Sequence, residues 1–416
     1  MLMEVYVKFK LKEIFVMTLF VALLGGFVGG ITWGLLFIMD AGIHFLWVDV
    51  KNAISFPFYS IIVCSFGGLL IGLWEQRFGP YPREMAEVLN KVKKGEKIPY
   101  NNLHIIAIAA LLPLIFGGNL GPEAGLSGVI AGLCFWFSDR FKFIFSEMEE
   151  LPQIGVAATV GVIFGSPLFA FVNQFEDENK PTAIPKNIKI FVYFVGILSG
   201  YGILTLLQNL FGGKLGMGHF PAIETVSGGE WAAAIPLAFV GVMAGMLYYL
   251  FKRLVKIAVK PLQKNIILKG IIGGVILGVV GMILPYTMFS GERQMTEVMN
   301  SWQGMGFVVL FITGIVKLLM GSVCHQMGWR GGKIFPTIFS GVAIGYAFAL
   351  VLPIDSIFCV AIVTAALTAT VMRKPLAVIL LLLICFPING IVPMTIGAVI
   401  GGAIPVPEWI GSTEED

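Results

Sequence analysis

The sequence predicts an all-α membrane protein made of two related helical halves with broken, re-entrant helices, and three observations predict it. Of 416 residues, 57% are hydrophobic and only 13% charged, and the mean hydropathy is +0.88. That is more apolar surface than a soluble core of this size can hide. The apolar stretches have helical lengths and lack the strict alternation of a membrane β-barrel. Finally, Gly- and Pro-interrupted segments recur in matching places of two approximate halves, 1–212 and 213–416, a pattern of internally repeated membrane folds.

Taken along the chain, apolar stretches of helical length fall at 14–39, 58–74, 103–117, 190–211, 231–250, 268–285 and 306–321. Shorter or interrupted pieces at 122–137, 154–172, 334–352, 355–371 and 375–404 read as half-helices. The first stretch carries no small-residue cleavage site, so a retained first helix is expected rather than a signal peptide. The tail, GSTEED, is polar, and one transmembrane domain over 1–416 is expected, without a soluble regulatory domain. Basic residues cluster at Lys8, Lys10 and Lys12, at Lys91, Lys93, Lys94 and Lys97, and from Lys252 to Lys264. Read as loops, they mark the cytoplasmic side and place the N-terminus there, in a multi-pass protein of the cell membrane.

Several function classes are poorly served by this composition. The five cysteines (Cys64, Cys134, Cys324, Cys359 and Cys385) are scattered through apolar segments with no CxxC spacing, as small packing residues are. The four histidines are far apart, so no metal site and no cofactor is expected. A net charge of +3 spread over 416 residues offers nothing for a nucleic acid. A membrane-embedded enzyme would need paired acids or a histidine cluster within its spans, and none is evident.

The repeat carries the functional signal. VAATVGVIFGSPLFAF (156–171) and VTAALTATVMRKPLAV (363–378) share an Ala/Thr-rich approach followed by a Pro-Leu start. Each follows a Gly-rich, Pro-containing turn, GGNLGPEAG in the first half and WRGGKIFP in the second. Helices that begin inside a membrane leave backbone N–H groups without intrahelical partners, and the helix dipole adds partial positive charge. Such ends hold an anion without a full cation, so release stays easy. Glycine lets the backbone approach an ion, and proline suits a first helical turn. Glu123, an acid at such a start, is costly to bury and therefore a candidate functional group.

These residues resemble a known family. GGNLGPEAG is similar to the Gly-x-Glu-Gly-Pro signature of the CLC chloride channels and proton/chloride antiporters, with Gly121, Pro122 and Glu123 matching its first three positions. GVIFGSPLFAFVNQFED resembles the family's Ala-Pro-Leu helix and its acidic end, and RGGKIFPTIFSG its Gly-x-Phe-x-Pro motif. The resemblance runs in the family's order over most of the chain and is strongest to the short bacterial ion-transport branch. It implies two inverted, intertwined halves, a homodimer with one pore per subunit, and transport of chloride or another small anion. Proton exchange, a passive channel, a fluoride-type selectivity and a carrier of another ion or solute on the same fold stay open.

By the same resemblance Glu123 is the gate: ionised, it mimics an anion and occludes the pore; neutral, it leaves. Gly121, Pro122, Ala124, Ile334 and Phe335 would surround the anion. Departures fall at functional positions. Pro122 stands where the family has Arg, and Ala124 and Gly125 where it has Gly-Pro, so a frame shifted by three would put Leu120 at the gate. GPYP (79–82) is the counterpart of the family's first anion motif but lacks its serine, leaving Gly79 and Tyr81 to line that region. Residues 401–411 contain no pore tyrosine. Asp177, beside Glu176, falls where an internal proton acceptor would lie, and a solvated acidic loop is the equal alternative. Lys317 reads as an anion attractor, as the partner of an acid, or as a snorkelling side chain. Arg330 and Lys333 read as focusing or ordinary loop charges, and Arg373 and Lys374 as interfacial anchors.

Overall fold

The computed structural model describes residues 11–54, 56–94, 96–141, 155, 158, 161–164, 166–170, 186–213, 218–224, 226–407 and 409–410. Among these, helices account for nearly all regular structure. In chain order they are α1 (Leu11–His44), α2 (Tyr59–Phe78), α3 (Met85–Lys93), α4 (Leu103–Ile115), α5 (Glu123–Phe141), α6 (Lys186–Phe211) and α7 (Gly228–Val259). There follow α8 (Ile266–Ile283), α9 (Glu292–Met305), α10 (Phe307–Gln326), α11 (Ile334–Ala349), α12 (Ser356–Met372), α13 (Pro375–Leu382) and α14 (Ile391–Ala403). Six helical segments among the described residues are long and apolar enough to cross a membrane: Ile14–Ile54, Tyr59–Phe78, Ile190–Phe211, Gly228–Lys264, Ile266–Ile283 and Phe307–Gln326. The chain is a multi-pass membrane protein; α11, α12 and α14 are shorter apolar helices, as expected of the interrupted pieces, whereas α4, expected among the full-length stretches, is a shorter apolar helix too.

The chain forms two compact units. One comprises Met1–Phe37, Met85–His104 and Leu126–Lys214. Within it α1 meets α6 at Gly25 against Gly196 and Gly29 against Gly200, so close that a Cβ on either α1 glycine would strike the opposing carbonyl oxygen. The Ser199 hydroxyl donates to the Ala22 carbonyl at 2.6 Å across the same contact. Small residues set helix approach here because lipid supplies no hydrophobic drive between helices.

The other unit comprises Ile38–Glu84, Ile105–Gly125 and Leu215–Asp416. Its α2 and α8 cross through Gly68, Gly270 and Gly274, where a Cβ would meet the backbone of the facing helix. At its centre α12 is buried on every side from Ile357 to Val371, the mark of a core helix, and Gly241, Gly397 and Gly401 bring α7 and α14 onto its backbone. Helix starts carry the caps their sequences announce. Ser227 and Glu230 form a capping box on α7, with the Glu230 carboxylate accepting from the Ser227 amide at 2.8 Å. Asp355 accepts from the Phe358 amide at 2.9 Å to begin α12.

Two of the basic clusters expected in loops are helical instead. Lys91 and Lys93 belong to α3, which buries Val88, Leu89 and Val92 along one face and pairs Lys91 with Glu87 at 2.8 Å. This short amphipathic pattern outweighs the charge run. Lys252, Arg253 and Lys256 lie in the last turns of α7, where cations complement the helix C-terminus. The polar stretch after α8 likewise holds a helix, α9, which buries Glu292, Met295 and Val298.

Arg373 has a structural task. It ends α12 in the left-handed conformation, φ 58°, and its guanidinium donates to the carbonyls of Gly401, Gly402 and Ile404 at 3.3, 3.3 and 2.7 Å, closing the end of α14. Arg373→Ala keeps the backbone strain and loses the bonds, roughly 1 to 2 kcal/mol. Arg373→Gly loses the same bonds but relieves about 1 kcal/mol of left-handed strain. The alanine variant should therefore melt below the glycine variant, and both below the parent, in a thermal unfolding scan of purified protein. The reverse order would mean the side chain contributes through packing.

Candidate functional site

The two Gly-rich turns singled out by the sequence meet within one unit. Gly121 and Gly332 form an isolated antiparallel bridge, each amide donating to the other's carbonyl at 2.8 and 2.7 Å. Glu123 then opens α5 and Ile334 opens α11, so one short backbone clamp fixes two helix N-termini beside each other. Pro122 sits just before the first helical residue, where a missing N–H costs nothing.

The Glu123 side chain is 1% exposed, and its Oε1 accepts from the Ile334 amide at 2.8 Å. The Phe335 amide also faces the carboxylate. The N-cap of α11, Lys333, makes no side-chain cap bond, so an acid from 211 positions away serves as the cap. Both bridge glycines are required for this seat: a Cβ on Gly121 or on Gly332 would land on the Glu123 carboxylate. Glu123 Oε2 is buried without a hydrogen-bond partner among the described residues. Ala124 is buried beside it, while Leu120 packs its Cβ toward Gly331.

The turns are held from behind. Asn119 is fully buried and its Nδ2 donates to the Lys317 carbonyl at 2.5 Å. The Phe289 amide donates to the Gly117 carbonyl at 3.1 Å. Lys317 neither snorkels nor faces an acid. It is fully buried, and its Nζ donates to the carbonyls of Tyr286, Met288 and Phe289 at 2.8, 3.0 and 3.1 Å, with the Phe339 ring at 4.6 Å.

The charges flanking the second turn divide similarly. Arg330 and the buried Lys269 both lie 3.6 Å from Glu75 Oε1. Lys333 is close enough to Glu123 and Glu84 to feel both charges. Glu84 lies 3.2 Å from His325 Nε2, and that hydrogen bond holds its carboxyl down at about 2. Gly79, with φ 96°, caps the end of α2, and Tyr81 donates its amide to the Gly79 carbonyl at 3.0 Å. No described contact brings either residue to Glu123. Glu176 and Asp177 lie outside the described residues.

One acid escaped the sequence reading. Glu292 opens α9 after Gly291, is 4% exposed, and has a buried Oε2 without a hydrogen-bond partner among the described residues. The signal that would have found it is SGER at 290–293, an acid at a glycine-marked helix start as in GPE at 121–123. The stretch lies between the apolar segments 268–285 and 306–321, where its polarity draws no attention to a helix.

The model of the family described as "Voltage gated chloride channel" matches residues 67–405. The chain belongs to this family. Among its relatives, the chain is 26% identical over 316 residues to "Putative ion-transport protein YfeO" of Escherichia coli O7:K1 (strain IAI39 / ExPEC), covering 73% of this chain and 71% of that one. It is 29% identical over 300 residues to the protein of the same name from Shigella flexneri, covering 70% and 67%. Among solved structures it resembles a CLC-type fluoride/proton antiporter, with TM-score 0.75 at 17% identity over 96% of this chain and 98% of that one. It also resembles a slow cyanobacterial Cl⁻/H⁺ antiporter, with TM-score 0.79 at 16% identity over 95% of each. The fold is that of CLC transporters, as the motifs implied.

Proposed function

We propose that this chain transports a small anion, chloride or a relative of it, across the membrane, with Glu123 as the gate. The observation that carries this reading is the seat of the Glu123 carboxylate, which caps α11 through the Ile334 amide at 2.8 Å. A carboxylate bound by helix-end amides occupies a place suited to an anion. When Glu123 is ionised it fills that place. When it takes up a proton its attraction to the amides falls, and an anion can replace it. Flux therefore rises as pH falls. This reading favours the frame with Glu123 over the one with Leu120 as gate. Gly121, Pro122 and Ala124 shape the approach, the amides of Ile334 and Phe335 donate, and Gly79 and Tyr81 line a neighbouring stretch. Proton exchange, with Glu176 or Asp177 as internal acceptor, and a homodimer in the cell membrane with its N-terminus in the cytoplasm, extend the same family reading.

Purified protein in liposomes tests it, with chloride, bromide, nitrate and fluoride gradients and proton movement recorded alongside. The parent should pass at least one anion faster at acid than at alkaline pH. Glu123→Gln should pass it at a rate that no longer depends on pH, with no coupled proton movement. If none of the four anions moves and Glu123→Gln changes nothing, the reading fails.

A further inference from the structure

The chain does not leave α1 as an ordinary helix end. From Phe45 to Val50 the backbone widens into a π-helical turn before Lys51–Ile54 returns to α. Such turns are rare and are frequent at functional sites. This one sets Leu46 and Val50 beside α2, where with Tyr59, Val63 and Phe66 they wall a groove of about 340 Å³ floored by Phe116.

No polar atom faces the groove, because the groups that could do so are engaged elsewhere. The Tyr59 hydroxyl donates to the Leu46 carbonyl, and the Phe116 carbonyl accepts from Cys64 Sγ at 3.4 Å. Trp47 backs the wall, edge-on to the Tyr59 ring at 5.9 Å, with its indole N–H on the Ile115 carbonyl at 3.0 Å. Phe116 is wedged against α2, where a Cβ on Gly67 would lie 2.5 Å from its own Cβ. The floor is therefore fixed in place before any occupant arrives.

The chemistry of the groove selects its occupant. Its volume falls within the roughly 300 to 1,000 Å³ of small-molecule sites, but those carry a few convergent polar groups. A polar solute entering this one would give up its hydration without a replacement, whereas hydrocarbon would lose nothing. The helical stretch Ile14–Ile54 runs for 41 residues, about 60 Å at 1.5 Å per residue, against roughly 30 Å of bilayer hydrocarbon. Its polar end belongs to the headgroup layer. There His44 and Asp49 lie 3.3 Å apart and satisfy each other, and Lys51, next to Val50 of the groove wall, is exposed. From that level the groove follows α2 from Tyr59 to Phe66, about 10 Å of helix. A cation at the mouth and an apolar trough below it match the phosphate and the acyl chain of one phospholipid.

We propose that this groove is a binding site for one acyl chain of a bilayer phospholipid whose phosphate meets Lys51. The chain rests on Phe116, the residue that precedes the first Gly-rich turn. The site does not depend on the gating reading, and its test requires no flux.

Native mass spectrometry of full-length protein, reconstituted with palmitoyl-oleoyl phosphatidylglycerol and extracted again in mild detergent, tests it. The parent should retain one phosphatidylglycerol per chain. Ile62→Trp and Val63→Trp, which fill the groove from α2, should each lower the retained fraction several-fold, and so should Lys51→Glu. Val308→Trp, at an exposed apolar position on α10, should retain the lipid as the parent does. Added phosphatidylglycerol should also raise the melting temperature of the parent and of Val308→Trp but not of the filled variants, since a ligand stabilises only a fold that binds it. The melts of the filled variants themselves report that they are folded. A parent that retains no phospholipid, filled variants that retain it undiminished, or retention indifferent to Lys51→Glu would overturn the proposal. Filled variants that keep their lipid but lose their oligomeric state would assign the face to a second copy of the chain, and would overturn it equally.

Discussion

Gly332→Ala should release the gate without unfolding the protein. The added methyl would coincide with the Glu123 carboxyl group, whose three outer atoms are the nearest neighbours of a Cβ at that position. Gly332 is absent from the positive-φ residues, so alanine introduces no backbone strain, and both bridge bonds to Gly121 use main-chain atoms that the substitution keeps. What must move is the far end of a flexible side chain, and overpacking that can be relieved this way costs about 1 kcal/mol, the low end of its range. Glu123 would then lose its bond to the Ile334 amide while keeping its charge. Under the gating reading, anion flux at alkaline pH should rise several-fold toward the acid rate, and its pH dependence should flatten as in Glu123→Gln. Liposome flux across a pH series measures this. A variant that folds, loses the Glu123 seat and still shows the parent's pH profile would separate the seat from the gate.

Much of this arrangement was legible in the residues. The apolar stretches foretold where the long helices lie, though α7 runs nine residues past its expected end into the basic cluster, because burial in lipid and helix propensity favour the same answer there. GGNLGPEAG and WRGGKIFP announced two helix starts, and Glu123 stood out because an acid in an apolar setting needs a reason. What the sequence could not convey was pairing. The bond between Glu123 and Ile334 joins residues 211 positions apart, and nothing local in KIFP says that an acid from the other half will cap it. Gly332 read as a permissive residue in a turn, whereas its lack of a side chain makes room for another residue's carboxylate. Glu292 was hidden by composition: α9 is polar on its outer face, so its one buried acid looked like a loop charge. The helix-closing bonds of Arg373 were not legible for a related reason, since a charge at a helix break is as apt for closing a neighbouring helix end as for facing lipid headgroups.

Lys317 shows how far such a pairing can invert a reading, and its removal should have the larger effect on folding. Three carbonyl acceptors match the three N–H donors of an ammonium group, and the Phe339 ring at 4.6 Å adds a cation–π contact. Lys317→Met keeps most of the volume but strands the half-buried carbonyls of Tyr286 and Phe289, while the Met288 carbonyl keeps the Gln294 side-chain amide at 3.2 Å. Each buried acceptor left unpaired costs about 1 to 3 kcal/mol, so the variant stands to lose on the order of 2 kcal/mol or more. The loss falls on the segment that carries Phe289 to Gly117 and Gly291 to Phe339, so the turn behind Glu123 loosens with it. Lys317→Met should yield little monodisperse protein on size exclusion and a melting transition well below the parent's. A lysine that served to attract anions would behave otherwise: the methionine variant would fold and melt as the parent does, and only its anion flux would fall. Measuring both quantities on the same preparation decides between a structural cation and an electrostatic lure.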